Sequence, residues 1–199
     1  ERIGLESKGT AADAVRRLRA VASIRNGQEA EGEKLFAEIA AKAGPEEKAR
    51  LNLGTADLVQ RAAPDSLLFL KFLKQAGQVG KGREVAVAAA SLRSINRAIG
   101  YHRSRLADAK DDEAAKTRIQ EDLKILDGER KAIVAGSGPV LRGPEEHLAL
   151  AVLLPVEEGI SLLRAGRDKA LISPDTDPMK LAPLREQLAQ WLGLKGVVV

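Results

Sequence analysis

The sequence predicts an all-α fold, an irregular array of helical hairpins with one long antiparallel helix pair. Two observations carry that prediction. Apolar residues recur at steps of three and four over most of the chain, the period of a helix with one buried stripe. Glycine and proline sit at the breaks between these stretches, where helices stop and start. Aromatic residues make up only 3% of the 199, so the core must be built from Ala, Leu, Ile and Val.

Thr10 is the expected N-cap of a first helix over 11–24, with Ala14, Val15, Leu18, Val21, Ala22 and Ile24 as its apolar positions. Asn26-Gly27 ends it, since both residues tolerate the left-handed backbone of a helix stop. A second helix is expected from about Gln28 to Ala43, with Leu35, Phe36, Ile39 and Ala40 on one side. Gly44-Pro45 separates it from a third helix over 45–63, in which Gly54 invites a bend. Pro64-Asp65-Ser66 then opens a short apolar helix, Leu67 to Ala76, and Gly77, Gly80 and Gly82 form a linker.

The strongest signal follows. Val85, Ala88, Leu92, Ile95, Ile99, His102, Leu106 and Ala109 step 3, 4, 3, 4, 3, 4, 3, the seam of a helix lying lengthwise along another, as in a coiled coil. A second seam, Ile119, Leu123, Leu126, Arg130 and Ile133, is out of register with the first by one residue. The register change across 108–113 predicts a turn and an antiparallel hairpin, although neither glycine nor proline marks it; one long helix with a discontinuity is the alternative. Gly136-Ser137-Gly138-Pro139 closes the hairpin. A helix from Pro144 to Ala165, kinked at Pro155, a loop over 166–177 and a last helix from Pro178 to about Leu192, capped by Asp177, complete the chain. The linker divides it into an N-terminal array, 1–76, and the long hairpin with its C-terminal capping helices, 77–199.

The stretch Gly27 to Ile39 is similar to the second helix of a tetratricopeptide unit, and a looser echo begins at Gly82. Their offset of 55 residues departs from the family's period of about 34, and the aromatic and glycine positions of its first helix are missing, so an irregular stack is the better description.

Several function classes are excluded. Without cysteine there is no disulfide, thiolate nucleophile or zinc–sulfur site. The longest apolar run, Leu148 to Val156, is nine residues, where a membrane span needs about 20. No serine lies in a Gly-x-Ser-x-Gly turn, and two histidines without placed partners give no catalytic triad and no multi-histidine metal cage. Neither a catalytic residue nor a cofactor is expected. The chain opens on Glu1 rather than Met, as expected of a processed or excised sequence, and lack of cysteine fits any compartment.

Charge is informative in its distribution. From Lys71 to Arg105 there are eight basic residues and one acid, net +7, within a chain of net +4; Asp108 to Glu129 is net −4. Within the basic stretch Arg93, Arg97, Tyr101 and Arg105 recur every four residues, opposite the seam. Guanidiniums offer planar bidentate donors, so this ladder could grip an acidic partner protein, or phosphates and bases of a nucleic acid. The simplest reading is a solvated outer face, which an amphipathic helix needs in any case. Ion pairing with carboxylates of the chain would have to come from a helix other than the hairpin mate.

Gly77-Gln78-Val79-Gly80-Lys81-Gly82 is only superficially a phosphate cradle, with Gly82 in the hydroxyl position and no preceding strand. His102 is expected as a packed neutral imidazole hydrogen-bonded to a carbonyl or carboxylate, and His147 as a structural residue. Arg130 either snorkels at the hairpin end or meets a carboxylate across the interface, and Trp191 belongs to the core with Leu184, Leu188 and Leu192. The expected function is a non-enzymatic scaffold or adaptor binding proteins through the ladder and the array. The alternatives are a polyanion-binding module on the same ladder and an all-helical enzyme for an anionic small molecule. The seam could equally serve a dimer.

Overall fold

The computed structural model describes residues 11–78, 84–110, 112–173 and 177–194. Within them the chain forms nine α-helices and no strand: α1 (Ala11–Arg25), α2 (Glu29–Ala41), α3 (Pro45–Ala62), α4 (Phe69–Gly77), α5 (Glu84–Asp108), α6 (Glu113–Ser137), α7 (Pro144–Ala151), α8 (Val156–Ile172) and α9 (Pro178–Leu194). The fold is therefore all-α, as its periodicity dictates. The helices pair mainly with their sequence neighbours, α1 with α2, α3 with α4, α5 with α6, and α7 with both α8 and α9. Thr10, Asp111 and most of the Gly77–Gly82 segment lie outside the described residues.

Local chemistry explains the hairpins. Gly27 takes φ +78, the left-handed turn that ends α1. α2 then lies so close to α1 that a Cβ on Gly32 would stand 2.8 Å from the Ala20 carbonyl oxygen. Gly32→Ala is accordingly expected to lower stability by about 1–3 kcal/mol, because backbone cannot move aside as a side chain does. A urea titration reads this directly; an unchanged midpoint would contradict the close α1–α2 packing. Pro45 begins α3 at a first-turn position, where its missing N–H costs little.

α5 and α6 form the long antiparallel pair. Ala88, Leu92, Ile95, Ile99 and His102 are buried on α5, and Ile119, Leu126 and Arg130 on α6. Val85, Leu106, Ala109, Leu123 and Ile133 are half-buried. The turn between the helices uses Lys110 at φ 31, a left-handed position occupied here by a residue that does not advertise it. The Asp112 carboxylate then caps α6, accepting from the Ala115 N–H at 2.9 Å.

Three boundaries differ from expectation. Gly54 does not interrupt α3. The kinked helix 144–165 is two helices, α7 and α8, with Pro155 (φ −53, ψ 148) in extended backbone before the first residue of α8. The loop expected from Gly166 is absent at its start, because α8 continues to Ile172. Gly166 is buried there, where a Cβ would meet the His147 ring at 2.7 Å, so this glycine serves helix packing rather than a turn. Asp177 caps α9 as expected, accepting from the Met179 N–H at 2.9 Å.

Three apolar clusters result. The largest draws Ala20 and Ile24 from α1, Phe36 and Ile39 from α2, Val59 from α3, and Phe69 and Phe72 from α4. It also takes Ile95 and Ile99 from α5 and Leu126 from α6, so it runs across position 77. Phe36 and Phe72 meet edge to face at 5.7 Å. A second cluster gathers Ala151, Ile160, Leu163, Leu184 and Leu188 of α7, α8 and α9. A third joins Ala88, Ala89 and Leu92 of α5 to Leu141, Leu150 and Leu154. Polar ties reinforce α5 as the central rod: buried Gln60 donates to the Ser94 carbonyl at 2.8 Å, and Asn96 to the Leu153 carbonyl at 2.6 Å.

Candidate functional site

The four-residue spacing of Arg93, Arg97, Tyr101 and Arg105 places them on one face of α5, away from α6, and the fold sets α3 and the turn after it beside that face. Arg97 pairs with Asp57 at 2.7 Å, and the same carboxyl group holds Arg61 at 2.7 Å. The Tyr101 hydroxyl donates to Asp65 at 3.1 Å. Arg105 donates to that hydroxyl at 3.4 Å and lies 3.7 Å from the Asp65 carboxylate. Burial, reinforced by the Asp65 carboxylate, holds the Tyr101 phenol above its ordinary range. Arg93 is exposed and forms no ion pair among the described residues. Three of the four ladder side chains are thus engaged by carboxylates of the third-helix region, an element other than the hairpin mate, as internal pairing on this face requires. Each pair is half exposed and contributes about 0–1 kcal/mol.

The face meant for water therefore belongs partly to an internal interface. A more exposed surface lies on α1. Val15 is 64% and Leu18 72% exposed, one turn apart, while Ala20 and Ile24 carry the packing against α2. Val15, Leu18 and Ile24 are all among the apolar positions read for the first helix, and Ala20 is not. Their separation into two stripes was present in the spacing, but only the position of α2 shows which stripe is covered.

His102 is 1% exposed. Its ring packs edge to face against Tyr101 at 5.6 Å. Its Nδ1 lies 3.8 Å from the Asp122 carboxylate, and neither ring nitrogen has a hydrogen-bond partner. The expected satisfied imidazole is therefore not found, since 3.8 Å lies beyond hydrogen-bond range. His147 is the satisfied one: its Nδ1 stands 2.8 Å from the Gly143 carbonyl, at the start of α7. Arg130 meets carboxylates, as one of its two readings held, at 2.5 Å from Asp127 and 2.8 Å from Glu158 on α8. The hydrogen bond from the Lys131 ammonium holds the Asp127 carboxyl below its usual range; burial opposes it, and the Arg130 charge adds a smaller lowering. Trp191 is half-buried against Gly159, whose hypothetical Cβ would strike the indole.

Several hollows border these residues; one of about 510 Å³ lies beside Asp57, Arg93 and Arg97. Another of about 270 Å³ between α4, α5 and α6 has an apolar floor, including Leu70, Leu73, Val87 and Ile133, beneath a Lys74–Glu129 pair at 2.7 Å. Two others, of about 380 and 590 Å³, share Asp65, Arg118 and Asp122 and adjoin one another, from the turn end of the α5–α6 hairpin toward the α1–α2 corner. Among the described residues no group of three or more acidic or histidine side chains is arranged to hold a metal ion. None of the described helices is long and apolar enough to cross a membrane. Comparison with protein-family models, with curated proteins and with solved structures gives no match.

Proposed function

We propose that this chain is a non-enzymatic helical scaffold whose first helix docks an amphipathic helix with acidic borders from a partner protein. The observation that carries this reading is the bare apolar stripe of Val15 and Leu18 on a helix that lies at the end of the array, in contact chiefly with α2 and α3. Apolar side chains repeated along one exposed helix face are the usual footprint of a helix-binding surface. The charge of α1 sets the partner's character. Asp13 is outnumbered by Arg16, Arg17, Arg19 and Arg25, so the helix is net +3 and repels a second copy of itself. Arg16 and Arg19 make only long, solvent-exposed pairs, with Asp13 at 3.3 Å and Glu31 at 3.4 Å, which acidic residues beside a partner's apolar stripe would displace. The ladder on α5 supports the role less, because Asp57 and Asp65 already occupy Arg97 and Arg105. The same pairing weakens the polyanion alternative.

A labelled synthetic helix with leucines at i, i+3 and i+7, bordered by glutamates, tests the reading by fluorescence anisotropy. Saturable binding is expected, and Val15→Glu with Leu18→Glu should weaken it at least tenfold, about 1.4 kcal/mol. Both positions are exposed, so circular dichroism should be unchanged. The reading fails if the peptide does not saturate at millimolar concentration, if a lysine-bordered version binds equally well, or if the double variant binds like the parent. Self-association measured by sedimentation and abolished by the double variant would assign the stripe to a second copy and overturn the heteromeric reading.

A further inference from the structure

The cleft beside His102 carries an inference independent of the α1 surface. Arg118 and Asp122 stand one turn apart on α6, the spacing at which opposite charges normally pair. They form no ion pair with each other, and both line the two adjoining hollows. Behind Asp122 lies His102, almost wholly buried, bordering the smaller hollow with both nitrogens unpartnered. Leaving such a group unsatisfied costs about 1–3 kcal/mol; its nitrogens are closed to the hollow itself, so the group placed to satisfy it is the Asp122 carboxylate, 3.8 Å away, once that carboxylate is held in position. The remaining charges nearby are already engaged: Asp65 holds Tyr101 and Arg105, and Asp112 caps α6. In the smaller hollow the available charges are thus one cation and one anion, with apolar wall from Ala115 and Ile119, while Arg25 and Glu29 line only the larger one.

We propose that this cleft binds a small zwitterion, an α-amino acid with an apolar side chain. Its carboxylate pairs with Arg118, its ammonium with Asp122, and its side chain lies against Ala115 and Ile119. A ligand with a single charge satisfies only half of the site and leaves the other charge to be desolvated without compensation. Asp122, on receiving the ammonium, is fixed next to the imidazole, so occupancy changes the surroundings of His102.

The chain has only two histidines, which makes the test direct. The imidazole Hε1 and Cε1 resonances of the full chain are followed by NMR while L-valine is added, with the His147→Gln variant giving the assignment. L-valine should shift the His102 signals saturably and leave those of His147 in place. Isovalerate, which lacks the ammonium, and isobutylamine, which lacks the carboxylate, should each bind about tenfold or more weakly. Arg118→Gln, at an exposed position that does not threaten folding, should remove the response. The proposal is overturned if L-valine leaves His102 unmoved, if isovalerate or isobutylamine matches it, or if the response persists in Arg118→Gln.

Discussion

Truncation of Ile95 to alanine is expected to lower the unfolding free energy by about 2–5 kcal/mol. Ile95 is fully buried, lies in the largest core cluster and sits at the centre of the α5 seam. Removing three of its carbons forfeits their transfer from water and leaves a void that α3, α4 and α6 cannot all relax into, because each is held by its own hairpin partner. The comparison that gives this meaning is Arg93→Ala, two residues away on the exposed face. That change should stay within about 0.5 kcal/mol. Urea unfolding of the two variants measures both. If Ile95→Ala falls within the range of Arg93→Ala, α5 is not the rod around which the molecule packs.

The second large effect concerns Arg130. Its side chain is 8% exposed and is held by Asp127 and Glu158. Replacing both acids by alanine strips a buried guanidinium of its counter-charges and is expected to cost about 3 kcal/mol, the low end for a broken buried pair, since both carboxylates are themselves partly hydrated. Adding Arg130→Met to the same background should recover most of that loss, because the uncompensated charge is removed while apolar volume remains. Failure of methionine to recover stability would mean that the arginine itself, rather than its stranded charge, holds α6 against α8.

Much of this architecture was legible in the sequence because it rests on local periodicity. The seams of α5 and α6 are hydrophobic patterns that a helix can satisfy in one orientation only. The register change between them located a turn without any glycine or proline. Pro45 and Asp177 act at helix ends through their own backbone and side-chain chemistry. The failures share a cause. Gly166 looked like a helix stop and is a packing contact, since the sequence does not show that His147 will lie across α8. The ladder looked solvated on its outer side, but Asp57 and Asp65 each stand 40 residues before the arginine they pair with and meet it only through the α3–α5 packing.

The amino-acid order alone determined that this chain is helical, where most of its helices run, and which face of each rod of the long pair is apolar. These follow from short-range steric and hydrophobic constraints acting within a few turns. Tertiary structure alone decided which apolar stripe of α1 stays bare, which carboxylates take the ladder arginines, and that His102 has no partner beside an open cleft. Those outcomes depend on how helices far apart in the chain are placed against one another, and a contact between distant residues leaves no periodic trace in either segment.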